Sequence, residues 1–237
     1  MDRNPFLKKR TAVVGGALAL AAITIPSAAA QTAETVGLEA TDYVGISFWI
    51  ATAMMLATTV FFLVERQNVA AKWKTSMSVA ALVTGIAWYH YTYMRQHWVD
   101  NGSSPIVYRY IDWLLTVPLQ IAEFYLILAA VGAATAMLFW RLFGASLVML
   151  IAGFLGEAGH APEMPMLAIG VAAWAYIIYE VWAGDAKKGA DTTSEGTQFA
   201  FKAMAIILTV GWAIYPIGYF MGTSADADTD ALNILYN

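Results

Sequence analysis

The 237-residue chain is 59% hydrophobic and only 13% charged, with a mean hydropathy of +0.58. That excludes an ordinary soluble domain, which carries roughly 25% charged residues. A formal net charge of −4 without a basic stripe excludes a nucleic-acid binder, and the absence of cysteine excludes disulfides and thiolate metal sites; no metal centre is expected.

Residues 1–30 read as a signal peptide. Arg3, Lys8, Lys9 and Arg10 form a basic start, residues 11–25 a short apolar core, and Ala28, Ala29 and Ala30 a small-residue cleavage site. The alternative is an extra membrane helix, but the apolar run falls short of the ~20 residues a span needs. The remainder, 31–237, reads as one membrane domain. Six long apolar segments follow at 45–64, 76–94, 106–131, 136–155, 165–183 and 199–221, and a seventh starts at 230 with ALNILYN. The expected fold class is therefore an all-α membrane protein.

Loop charge sets the expected orientation. Arg66, Lys72, Lys74, Arg141, Lys187, Lys188 and Lys202 fall on one side of the membrane. Arg95 and the acidic stretches 34–42 and 226–230 fall on the other. Positive-inside bias puts the N-terminus outside and Lys187 and Lys188 in the cytoplasm.

The third segment, RYIDWLLTVPLQIAEFYLIL, is apolar enough for a membrane yet carries Arg109, Asp112, Thr116, Gln120 and Glu123. At 100° per residue these five positions share an arc of about 80°. Charges at membrane depth cost at least about 2.5–3.5 kcal/mol each, so by default they mark ion or proton pathways. Asp112 and Glu123 lie about 16 Å apart along the axis, too far to share a proton directly. Something between them must carry it. Asp112, one turn from Arg109, is expected ionised as a counter-ion, and Glu123, without a cation in helical reach, protonated. The competing reading is a polar seam that holds helices together by hydrogen bonds.

The wider sequence adds to this stripe. RYIDWLLTVPLQIAEFYLILAA resembles the third helix of proteorhodopsins, which are bacterial retinal proteins. SFWIATA, FFLVER, AKWKTS, GIAWYHYTYMR, GEAG, YEVWAG and GWAIYPIGYF are similar to other segments of that family, over 42–237. The resemblance implies a seven-helix bundle of microbial rhodopsin type in the bacterial inner membrane. It implies that Asp112 is counter-ion and proton acceptor, Glu123 the cytoplasmic donor, and Arg109 a tuner of the counter-ion. With Thr116, the two acids match the family's proton-pump triplet and depart from its chloride and sodium pumps.

By itself His90 in WYHYTY would be a packing histidine. The resemblance pairs it with the acceptor carboxylate, near a subunit boundary where Trp49 is a candidate contact from a neighbour in a ring-shaped homo-oligomer. It also implies an all-trans retinal pocket walled by Trp113, Trp212, Tyr215 and Pro216 and closed by Trp174 and Met149. Taken singly, each of those aromatics would be bland packing. Gln120 is similar to the blue-absorbing members, where leucine goes with green; its plainer role is a helix-to-helix hydrogen bond.

The family's retinal-binding lysine is not found among Lys8, Lys9, Lys72, Lys74, Lys187, Lys188 and Lys202. It is expected past Asn237, in a seventh helix that this sequence truncates. The implied function is a light-driven outward proton pump, not an enzyme. The alternatives are a slow-cycling sensory photoreceptor that signals to a partner, and a chromophore-free membrane protein.

Overall fold

A computed structural model describes residues 38–224 and Ile234. The expected signal peptide and the expected start of the seventh span at 230 lie outside the described residues, apart from Ile234 itself. The described residues are helical, with no strand among them.

Helix α1 (Tyr43–Glu65) begins where Asp42 accepts a 2.7 Å hydrogen bond from the Gly45 amide, a side-chain cap on one of the unpaired first-turn donors. A single 3-10 turn, Ala71–Trp73, leads into α2 (Lys74–Asn101). This helix outruns the expected 76–94 by seven residues at its far end. Nothing breaks it until Gly102, whose φ of 60° is the left-handed conformation glycine adopts without strain, and whose amide bonds Trp98 O at 2.8 Å. At 28 residues α2 is about 42 Å long.

Helix α3 (Ile106–Ala129) starts directly after Pro105 and contains Pro118. Helix α4 (Ala136–Glu157) is capped by Thr135, and α5 (Glu163–Trp182) follows. A short helix that the hydrophobic pattern does not predict, α6 (Asp185–Asp191), leads to α7 (Glu195–Ile206), which Ser194 caps.

The sixth apolar segment is not the single helix expected over 199–221. It is α7, a π-helical turn at Ile207–Gly211, and α8 (Ile214–Ser224). Pro216 accounts for the break. It has no amide to bond the Trp212 carbonyl, and its ring crowds that carbonyl. The Tyr215 amide takes the carbonyl instead, at 3.2 Å.

Five of the described helical stretches are long and apolar enough to cross a membrane. The second is long enough but less apolar, because its second half runs through WYHYTYMRQH. Consecutive helices pack side by side from α1 to α5. One core joins α3, α4, α5 and α7 through Ile121, Phe124, Leu142, Ile177 and Phe201. A second joins α1 to α2 through Phe48, Tyr91 and Met94.

Polarity is reversed relative to a soluble protein. Trp140, Phe61 and Val210 face outward, while Arg109, Asp112 and Thr116 are buried. Lipid accepts the first group, and helices satisfy their own backbone in hydrocarbon. The chain is a multi-pass membrane protein.

Candidate chromophore and proton-transfer site

The stripe on α3 turns into the bundle. Arg109 and Asp112 are 3% exposed and Thr116 2%. Thr116 Oγ1 donates to the Asp112 carbonyl at 3.0 Å, which anchors it within the same turn. The Arg109 guanidinium lies 5.5 Å from the ring centre of Phe48, so α1 packs against that cation.

His90, on α2, reaches Asp112 directly. Its Nδ1 lies 3.2 Å from Asp112 Oδ1 and 3.1 Å from the Ile86 carbonyl. Trp49 is half-exposed on α1, and the contact it makes is with Arg95, whose guanidinium carbon sits 3.8 Å from its ring centre.

Beside Asp112 the helices enclose a cavity of about 320 Å³, with contributions from α1 to α5, α8 and Trp212. Within the size range of small-molecule pockets, this is at the lower end. Trp113, Gln120, Met149 and Trp174 all line it, as do Trp212, Tyr215 and Pro216. Trp113 and Tyr215 meet edge to face with ring centres 4.7 Å apart, a favoured geometry that fixes both rings. Trp174 Nε1 donates at 3.4 Å to the carbonyl of Leu208, within the π-helical turn. The irregular backbone of the sixth segment therefore also holds a wall of the cavity.

Arg109, Asp112 and Thr116 lie on the same lining. The chamber is apolar and ring-walled, with one buried carboxyl and one guanidinium, and its residues fit a polyene that carries a positive charge near one end. No lysine among the described residues lines it.

Glu123 stands apart from the cavity. Ser76, on the first turn of α2, donates a short hydrogen bond to Glu123 Oε2. Oε1 is buried without a hydrogen-bond partner among the described residues. The two acids are thus held by the same neighbour, α2, at separate levels, with Gln120 between them on the cavity side.

Several cavity residues escape the sequence reading. Glu157, the last residue of α4, lines the cavity and accepts a 2.7 Å hydrogen bond from the Tyr110 hydroxyl. Tyr91, Tyr110 and Tyr219 line it too. Two glycines make room for these hydroxyls. A Cβ on Gly153 would lie 2.8 Å from Tyr110 Oη, and one on Gly156 would run into Tyr219 Oη. GEAG carried a signal for Glu157 and Gly156, but a single acid at a helix end reads as an interfacial residue.

Known proteins share this architecture. A family model described as bacteriorhodopsin-like protein matches residues 42–236. The blue-light absorbing proteorhodopsin of Gamma-proteobacterium Hot 75m4 is 53% identical over 219 residues, 91% of this chain and 86% of the relative. The green-light absorbing proteorhodopsin of Gamma-proteobacterium EBAC31A08 is 52% identical over 217 residues, with the same coverage. Among solved structures, the blue light-absorbing proteorhodopsin from Med12 superimposes with a TM-score of 0.70 at 56% identity, covering 82% of this chain and 88% of that one. The chain belongs to the bacteriorhodopsin-like family and, within it, to the proteorhodopsins.

Proposed function

We propose that the chain is a light-driven outward proton pump with a retinal chromophore, tuned to blue light, and that it is a transporter rather than an enzyme. The observation that carries this reading is the separation of two carboxyls on one helix by a ring-walled cavity. Asp112 is on the cavity lining, and Glu123 is held by Ser76 away from it.

When bound, retinal supplies light absorption and a linkage that can change its shape and shed and regain a proton. The residues around it supply the proton acceptor, the donor and the walls. Asp112, beside Arg109 and His90, takes the proton on the outer side. Glu123 delivers one from the cytoplasmic side, and its distance of about 16 Å from Asp112 prevents a short circuit between them. Glu157, tied to Tyr110 on the same lining, offers an outward continuation for a proton leaving the Asp112 region.

Trp113, Trp212 and Tyr215 hold the chromophore in one orientation and keep water off it. Gln120 places an amide dipole along its length and sets the blue colour. Overall identity supports no colour assignment, since blue- and green-absorbing relatives stand at 53% and 52%.

The proposed setting is the bacterial inner membrane, with the N-terminus outside, as loop charge favours. A ring-shaped homo-oligomer, with His90 and Trp49 near the boundary, belongs to the same reading. The test is to illuminate cells that make the full-length protein with retinal and to follow external pH. Acidification abolished by an uncoupler is expected, and its absence would remove the pump.

A further inference from the structure

At the end of the bundle where α5, α6 and α7 meet, a second cavity of about 240 Å³ opens between Trp182, Lys187 and Asp191 on one side and Gln198, Phe201 and Lys202 on the other. The proton path as described makes no use of it. Its polar groups are largely committed. Lys187 pairs with Asp191. The Gln198 amide nitrogen donates to the carbonyls of Asp191 and Thr193 at 3.3 and 2.9 Å. The indole of Trp182 donates to Thr209 at 2.8 Å. Lys202 is different: it has no hydrogen bond or ion pair among the described residues. The lining therefore carries one uncompensated positive charge.

The position of Lys202 on α7 makes that charge informative. Phe199 and Ile206 are exposed, as is Val210 in the π-helical turn that follows. At 100° per residue Phe199 and Ile206 lie within about 60° of Lys202 on one flank of α7, and the cavity-lining Gln198, Phe201 and Ala205 lie within about 100° on the other. The first flank is the lipid-facing stripe of the sixth segment. Lys202 thus stands between the cavity and an apolar, lipid-facing flank, the layout of an amphiphile's partner: charge at the rim of the membrane, hydrocarbon beside it. Basic pockets between helix ends at a membrane surface take anionic lipid headgroups.

We propose that this cavity is a binding site for one anionic phospholipid. Its phosphate is held by Lys202 at the mouth of the cavity, and its acyl chain lies along Ile206 and Val210. Free inorganic phosphate would share the headgroup contacts. The apolar stripe below Lys202 is what selects the lipid.

The test uses the full chain in nanodiscs of equal parts phosphatidylcholine and phosphatidylglycerol, with retained lipid identified by native mass spectrometry. The wild type is expected to retain phosphatidylglycerol in preference. Lys202→Gln is expected to lower that preference about fivefold, the weight of one lysine near an anionic surface. Lys202→Arg keeps the charge and is expected to keep the preference, with unchanged thermal stability as the check on folding. Lys188→Gln is the control, because Lys188 pairs with Asp185 at 3.7 Å and lies off the cavity lining.

Three results would overturn the proposal: an unchanged preference in Lys202→Gln, equal losses in the 188 and 202 variants, or displacement of the lipid by millimolar inorganic phosphate. Light-driven acidification by Lys202→Gln, measured alongside, reports on the pump separately.

Discussion

Gly153 on α4 faces the Tyr110 hydroxyl of α3, and replacing it with alanine tests how tightly Tyr110 is held. The added Cβ would lie 2.8 Å from Tyr110 Oη, whereas ordinary contact begins near 3.4 Å. The hydroxyl must retreat by about 0.6 Å, the difference between those two contact distances. An exposed tyrosine could do so freely. Tyr110 is buried between the rings of Trp113, 5.0 Å away, and Phe154, 5.4 Å away. Its movement stretches a 2.7 Å bond to Glu157 Oε2 beyond useful length and leaves a carboxyl on the cavity lining short of a donor. The expected cost is about 1–3 kcal/mol.

Tyr110→Phe removes the hydroxyl outright. In that background the nearest ring atom to the new Cβ is Cε1 at 3.4 Å, so Gly153→Ala should cost little. It should even gain part of the ~1 kcal/mol by which alanine exceeds glycine in a helix. The assay is a double-mutant cycle on the denaturation midpoint of the retinal-loaded pigment. The expected coupling between the two sites is about 1–3 kcal/mol. Equal costs of Gly153→Ala with and without the hydroxyl would refute the reasoning.

Three further outcomes are expected. Glu123→Gln should slow the recovery phase of the photocycle by at least an order of magnitude, as read by flash photolysis, because general acid catalysis contributes about 10²–10⁴-fold; an unchanged rate would rule out the donor role. Gln120→Leu should move the absorption maximum towards green, and a spectrum that stays in place would assign Gln120 to packing alone. Arg141→Gln should lower stability by about 1–3 kcal/mol in a denaturant titration. It removes the 2.6 Å bond to Asp185 and the 3.5 Å ion pair to Glu180, a buried carboxylate that keeps only the Tyr176 hydroxyl and the Asp185 amide.

The spans were legible because their signal is additive: about twenty apolar side chains in a row cannot be read as anything else. Boundaries set by a single residue were less so. Gly102 ends α2, but the seven residues before it, RQHWVDN, look like a loop until the helix is seen to leave the apolar layer and continue. Helix α6 buries only Ala186 and Ala190, too little to register in a hydrophobic pattern. The π-helical turn had its cause in plain view at Pro216, but whether a proline bends, breaks or widens a helix depends on which neighbour takes the freed carbonyl.

At the site, periodicity alone gathered Arg109, Asp112 and Thr116 onto one face, because they share a helix. Ser76 and Glu123 are 47 residues apart and Tyr110 and Glu157 likewise. Only packing brings such pairs together, and no local pattern encodes it. The contact of His90 with Asp112 came from resemblance rather than spacing.

That contact also fixes where a proton can sit on the histidine. Nδ1 of His90 faces two oxygens, and one of them, the carbonyl of Ile86, can only accept. Nδ1 therefore carries hydrogen and is shared between the carbonyl and the Asp112 carboxylate. Asp112 thus receives a hydrogen bond from α2 that its own helix cannot supply, and a shift of α2 against α3 is felt at that carboxyl through it.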